Sequence, residues 1–226
     1  MNSPCNRSER QLQRHQLVFV SPEGWRGALS AHASWPVEPL VISWARRGLP
    51  LVTRRALPGE APGVTLGLPL PPSAGKRRLS LRVRPGDIEA VCPPPALGGV
   101  IRDAPISWWP TLERLGRLAS RHGAEARVFG GLAWQSLTEL DYLTASSDLD
   151  LLLYLGRGTD PEALAESLAA IEAAAPMRID GELIRPDGAA VNWREFLGSS
   201  PEVLVKTMAG VSLLRRETFG DTRIVH

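Results

Sequence analysis

The stretch Ser147-Asp148-Leu149-Asp150-Leu151-Leu152-Leu153 sets two carboxylates two residues apart at the head of an apolar run. Upstream of it, Gly130-Gly131 follows directly on the apolar pair Val128-Phe129. A strand sends residues i and i+2 to one face, so Asp148 and Asp150 point together with Cα atoms roughly 6.5 Å apart. At that spacing, with an effective dielectric of about 20, the two charges repel by about 2–3 kcal/mol. Beside a buried sheet such a pair needs a cation or open water. Magnesium bridging a phosphate is the natural cation, because it takes hard oxygen ligands and commonly one or two carboxylates.

Two further pieces join this one. Glycine lets backbone approach a ligand closely, and N–H groups at a helix start bind phosphate, so Gly130-Gly131 reads as a phosphate turn or as a plain tight turn. Arg178-Ile179-Asp180-Gly181-Glu182-Leu183 places Asp180 and Glu182 on one strand face, with Ile179 and Leu183 on the other. If this strand pairs beside the first, three or four carboxylates meet on one sheet surface. Two divalent ions roughly 3.5–4 Å apart could then clamp the oxygens of a phosphoryl displacement. A Gly-Gly turn, a D-x-D strand and a later acid in that order are far more specific together than any one alone.

The bulk composition is that of an ordinary globular chain. Its 226 residues are 43% hydrophobic and 22% charged, with a net charge of +2. That charge is too small to argue for nucleic acid. Only Cys5 and Cys92 are present, without a C-x-x-C pairing, which excludes a zinc ribbon and a disulfide framework and suits a reducing cytoplasm. The first residues, MNSPCNRSERQLQRH, are polar and do not read as a signal peptide. Apolar runs such as Leu151–Leu155 are too short to span a bilayer, so no membrane association is expected.

Pro93-Pro94-Pro95 followed by Gly98-Gly99 reads as a linker between a strand-rich domain over 1–97 and a second domain over 98–226. In the first half, Gln16–Val20, Leu40–Trp44, Leu49–Arg54, Val64–Leu68 and Arg78–Arg84 are the predicted strands. In the second, apolar residues at 108, 112, 115, 118 and 119 predict a helix closed by Gly123. A short strand over Ala126–Phe129 and a helix over Leu132–Leu140 follow. The D-x-D strand then runs over Asp148–Leu155, and a helix over Pro161–Ala174 is capped by Asp160. Met177–Ile184 is a third strand, and Ser200-Pro201 opens a last helix to about Leu214 with Val203, Leu204, Met208, Val211 and Leu214 buried. Alternation of this kind predicts a mixed α/β sheet.

The order of glycine pair, D-x-D and third acid resembles the nucleotidyltransferase superfamily with the polymerase-beta-like fold. The run from Phe129 through Gly130, Gly131, Trp134 and Leu143 to Asp150 resembles, more narrowly, the phosphoribosyl-dephospho-coenzyme A transferases. These are the holo-acyl-carrier-protein synthases of malonate decarboxylase. Arg178–Leu183, Ala190-Val-Asn-Trp-Arg-Glu, Val203-Leu-Val-Lys-Thr, Arg14-His15-Gln-Leu-Val, Pro50-Leu-Val-Thr-Arg-Arg and Leu66-Gly-Leu-Pro-Leu-Pro carry the likeness over nearly the whole chain. By position Asp148 and Asp150 fall on the family's catalytic pair. Gly131 stands where the wider superfamily usually has serine, which removes a hydroxyl contact to phosphate. The gap from Gly131 to Asp148 implies an extra turn near Asp141–Ala145.

The resemblance implies that a serine of the acyl carrier subunit attacks the α-phosphorus of triphosphoribosyl-dephospho-coenzyme A, with diphosphate leaving. Such a reaction depends on charge neutralisation and in-line positioning more than on a covalent nucleophile. Asp148 and Asp150 are then magnesium ligands, and Asp180 a third ligand or the base for the serine proton. Glu182 is a further candidate, or meets Arg178 or water. Gly130, Gly131 and Ser147 would line the substrate, and Lys206 would sit near its phosphates unless it is simply solvated. Arg78, with Arg82 and Arg84 on one strand face, would grip phosphates or an acidic carrier, or face solvent. Trp134 and Trp193 read as cleft wall more than as stacking platforms for adenine. His15, His32, His122 and His226 are too scattered for a metal cluster. Two other readings stay open: a nucleotidyltransferase acting on RNA or a small hydroxyl compound, and a non-catalytic module that binds carrier protein or nucleotide.

Overall fold

The computed structural model describes residues 12–31 and 38–220, so Cys5, His32 and His226 lie outside the described residues. The chain divides into two compact units between Pro94 and Pro95. In the first, five antiparallel strands run in the order β4-β3-β2-β1-β5. They are β1 (Leu17–Val20), β2 (Leu51–Thr53), β3 (Val64–Pro69), β4 (Arg78–Val83) and β5 (Ile88–Cys92). Helices α1 (Pro22–Ser30) and α2 (Pro39–Arg46) complete the unit. Ser21 caps α1 by accepting from the Gly24 N–H at 3.1 Å, the role short hydroxyl side chains fill at helix starts.

Leu40–Trp44 is therefore helix, not the predicted strand. Pro39 occupies its first turn and presets the helical φ. Val41 and Trp44, three residues apart, are the buried positions of this helix, and the Trp44 indole donates to Pro50 O at 2.9 Å. The short apolar run suits either element, and the spacing of its buried residues decides. Cys92 is disulfide-bonded, against the expectation from the cysteine count, so that count carries no argument about compartment.

The second unit is a six-stranded sheet in the order β11-β10-β9-β8-β7-β6. Its strands are β6 (Ala124–Val128), β7 (Leu149–Leu155), β8 (Ile179–Ile184), β9 (Ala190–Asn192), β10 (Glu202–Lys206) and β11 (Val211–Arg215). Only β7 and β8 pair in parallel among them. A parallel pair needs a crossover, and α5 (Pro161–Glu172) supplies it. Asp160 caps α5 by accepting from the Glu162 and Ala163 N–H groups at 3.0 and 3.1 Å.

One face of this sheet is buried under helices. Leu149, Leu151, Leu153 and Leu155 of β7, with Ile179 and Leu183 of β8, share a core with Leu112, Leu115 and Leu118 of α3 (Trp109–Arg121) and with Leu164 and Leu168 of α5. Helices α4 (Gly130–Thr138), α6 (Trp193–Leu197) and α7 (Arg216–Gly220) also contribute, through Leu132, Phe196 and Phe219. The result is a mixed α+β architecture consistent with the nucleotidyltransferase-like fold that the resemblance implies.

The last predicted helix is instead the hairpin β10–β11. Val203 and Val205 are buried while Leu204 between them is exposed, a period of two. The turn closes through Thr207 and Gly210, with the Thr207 N–H donating to Gly210 O at 2.9 Å. Apolar residues at 203, 204, 208, 211 and 214 fit a helix equally well on spacing alone. Their β-branched members and the partner strand β9 favour extended backbone.

Two stability outcomes follow from the packing and the charges. Leu151→Ala should cost about 2–5 kcal/mol in urea unfolding, as expected for a fully buried leucine; a loss under 1 kcal/mol would show that the sheet–helix core does not close around it. In the first unit, Arg54 holds the Glu60 carboxyl at about 2 by its side-chain hydrogen bonds, with the Leu57 N–H assisting. A depressed carboxyl stabilises fully above its ordinary value of 4.5 and loses that contribution as pH falls through about 2. Thermal melts between those pH values should therefore fall more steeply for the native chain than for Glu60→Gln. Parallel pH profiles would show the pair to be inert.

Candidate active site

Strand parity assembles the site. Because odd-numbered residues of β7 and β8 enter the core, the even-numbered ones face the opposite side of the sheet. The parallel register sets Asp150 beside Asp180 and Leu152 beside Glu182. Asn192 lies across from Glu182, and Lys206 across from Ala190, on that same face. Asp148, one residue before β7, sits opposite Arg178, whose Nη1 is 3.7 Å from Asp148 Oδ2.

The glycine pair is shaped by Asp150. Gly130 opens α4 in a left-handed conformation (φ +61°), and a Cβ built there would lie 1.7 Å from Asp150 Oδ2. The Gly131 N–H donates to that same oxygen at 3.3 Å, and the Phe129 N–H donates to Asp150 O at 3.1 Å. The close approach that glycine permits is thus first an approach to the Asp150 carboxylate. A helix N-terminus favours such a negative charge.

Each remaining acid has its own polar partner. Asn192 Nδ2 donates to Asp180 Oδ1 at 3.0 Å. Glu182 is buried, and Lys206 Nζ reaches its Oε1 at 3.2 Å. Among the described residues no three acids, histidines or cysteines stand close enough to hold a metal as a group. What the register does bring together is the pair Asp150 and Asp180. At a strand separation of about 4.8 Å, two carboxylates repel by about 3 kcal/mol at an effective dielectric of about 20. Hydrogen bonds to charged groups return about 1.5–3 kcal/mol each, so the Gly131 N–H on Asp150 and the Asn192 amide on Asp180 offset much of that repulsion; a cation between the pair would add its attraction to both carboxylates. The donor set is all oxygen, and magnesium ordinarily takes one or two carboxylates together with substrate phosphate and water. The pair fits that ion.

Other predicted residues are placed differently. Ser147 Oγ accepts from the Thr144 N–H at 2.9 Å and closes the turn into β7. Lys206 lies on a strand rather than in a helix. Arg78 belongs to the first unit, exposed on β4 with Ser80 and Arg82, while Leu81 and Val83 are buried; Arg84 is bound to Asp87. Trp134 and Trp193 are both buried. Trp193 lies against Gly181, where an added Cβ would meet its Cδ1 at 2.8 Å, and its indole donates to Ile179 O at 3.1 Å. It is a wall.

A family model described as the C-terminal domain of phosphoribosyl-dephospho-CoA transferase MdcG matches residues 96–217, and the model of that family's N-terminal domain matches 13–94. The chain belongs to this family. A protein of Bradyrhizobium diazoefficiens named phosphoribosyl-dephospho-CoA transferase is 52% identical over 219 residues, covering 97% of both chains. One of Xanthomonas campestris with the same name is 41% identical, over 90% of this chain and 94% of its own. Another of Pseudomonas putida is 35% identical, over 88% and 92%. No solved structure matches the chain. Among its described residues no helix is long and apolar enough to cross a membrane.

Two positions of this transferase family member carry geometry that the sequence reading did not assign. Gln135 Oε1 accepts from the Tyr142 and Leu143 N–H groups at 3.2 and 3.1 Å, while its Nε2 donates to Asp103 O at 2.7 Å. It pins the extra turn expected near Asp141–Ala145, and burial pushes the Tyr142 hydroxyl up. Asn192 is the other. Its place before Trp-Arg-Glu marks a helix cap in the sequence, but nothing there announces the bond to Asp180.

Gly130→Ala should lower phosphoribosyl-dephospho-CoA transfer on the order of a hundredfold, because its methyl group must displace the Asp150 carboxylate. Gly131→Ala, whose Cβ meets only the tip of Leu143 at 3.0 Å, should be much milder. Equal rates for the two variants in a transfer assay would refute the fitted turn.

Proposed function

We propose that this chain transfers the phosphoribosyl-dephospho-coenzyme A group from its triphosphate precursor to a serine of the malonate decarboxylase acyl carrier protein, releasing diphosphate. The juxtaposition of Asp150 and Asp180 on the sheet face opposite the helical core carries the chemical part of this reading. The names of its relatives support the transferred group. The class is that of a nucleotidyltransferase acting as a holo-acyl-carrier-protein synthase.

The serine Oγ forms a bond to the α-phosphorus as the bond from that phosphorus to the bridging oxygen breaks. Diphosphate departs with the electron pair, and the serine proton passes to a carboxylate. Asp180 is suited to that proton or to a cation, since only its Oδ1 has a partner among the described residues. Magnesium, when bound, would supply neutralisation of the charge on the triphosphate oxygens. Asp150 and Asp180 would hold it, and Asp148, which does not group with them as the side chains stand, would join only by turning away from Arg178. The Asp148–Arg178 contact is long and exposed, and such pairs contribute only about 0–1 kcal/mol, so Asp148 can exchange Arg178 for a cation.

Lys206 keeps Glu182. Breaking a pair with a buried member is strongly unfavourable, yet an ammonium group has three donors and can retain Glu182 while offering others to a phosphate. Gly130, Gly131 and Ser147 would flank the donor at the mouth of β7.

Incubation with magnesium, the triphosphate donor and apo carrier protein, followed by weighing the carrier, tests the reading. The native chain should add the mass of the group. Asp150→Asn and Asp180→Asn should each transfer at least about a hundredfold more slowly, with melting temperatures close to native. Carrier binding without mass gain, or transfer only to RNA, would replace this proposal with another.

A further inference from the structure

Asn192 ends β9 and precedes α6, and both ends of its amide are occupied. Its Oδ1 accepts from the Arg194 N–H at 3.0 Å, and its Nδ2 donates to Asp180 Oδ1 at 3.0 Å. The amide orientation is fixed by chemistry. A backbone N–H only donates, so the atom facing it must be oxygen, and the opposite NH2 then requires an acceptor such as a carboxylate. Asn192 is thus a rigid fork anchored on a helix start and closed on one oxygen of Asp180.

Three features show why this matters at the sheet surface. Arg178, just before the strand, and Glu182 within it flank Asp180, but these are directed to Asp148 and Lys206. Its neighbour across the parallel pair is Asp150, which repels it. The Asn192 amide is therefore its one hydrogen-bond donor among the described residues. Without that donor, the repulsion would turn the Asp180 carboxylate away from Asp150.

Resting on the transfer reaction proposed above, we propose that Asn192 is a positioning residue: it holds Asp180 Oδ1 so that Oδ2 and Asp150 present oxygens to one divalent cation and its phosphate. Asn192 touches neither substrate nor cation. It acts through Asp180.

The two duties of Asn192 can be separated. Serine caps helices about as well as asparagine and threonine somewhat less well, but both lack an NH2 and are too short to reach Asp180. Asn192→Ser and Asn192→Thr keep the cap and lose only the Asp180 hydrogen bond, so their melting temperatures should fall less than that of Asn192→Ala, which loses both. In both capping variants the transfer rate at saturating donor should fall about ten- to hundredfold. The magnesium concentration for half-maximal rate should rise severalfold. Binding of manganese in the presence of inorganic diphosphate, followed by electron paramagnetic resonance without any turnover, should weaken by a similar factor. Native manganese affinity and native transfer in the serine variant would overturn the inference, leaving the proposed reaction intact. Native chain that neither binds manganese nor modifies the carrier would instead defeat the reaction itself. Should the serine variant melt as early as the alanine variant, the threonine variant decides by the same two measurements.

Discussion

The parallel pairing of β7 with β8 is the constraint on which the rest of this molecule depends. It fixes Asp150 beside Asp180, and by the same register it sends Leu149, Leu151 and Leu153 together with Ile179 and Leu183 into the helical core. Side chains alternate along a strand, so a slip of one residue would bury the acids and expose the leucines. Core and site therefore hold one another in register. Hydrophobic burial on one face specifies the placement of charge on the other, and the crossover helix α5 is what permits two such strands to lie in parallel.

Close packing then constrains the surroundings of each acid. At Gly130 the missing side chain leaves room for the Asp150 carboxylate, and at Gly181 it leaves room for Trp193. These two glycines do different work. The first lets a helix start close on an anion, whereas the second lets an aromatic wall seat against the sheet just behind Asp180. Both are positions where any side chain must collide.

Electrostatics distributes the remaining charges into pairs. Arg178 meets Asp148, Lys206 meets Glu182, and the Asn192 amide meets Asp180. The exposed pair is easily exchanged, the half-buried pair is not, and the neutral amide leaves the charge on Asp180 unneutralised. Asp150 and Asp180 are accordingly adjacent carboxylates held by neutral donors, the Gly131 N–H and the Asn192 amide, beside a helix start.

Much of this was readable from the residues because it is local. The stripe at 108, 112, 115, 118 and 119 marks α3, Asp160-Pro161 marks the start of α5, and alternation in Asp148–Leu155 and Arg178–Leu183 marks β7 and β8 with their acid faces. Those patterns depend on periods and caps that a short window contains. The elements where structure departs from pattern, Leu40–Trp44 and Ser200–Leu214, are apolar runs compatible with two periods, and only their tertiary neighbours choose between them. Likewise Asn192 is a cap in any sequence reading, and its hold on Asp180 exists only because β9 folds back along β8. The sequence by itself determined which residues can carry charge and which can be buried. The three-dimensional pairing of strands decided which charges meet, since contacts between residues far apart in the chain are set by register and not by composition.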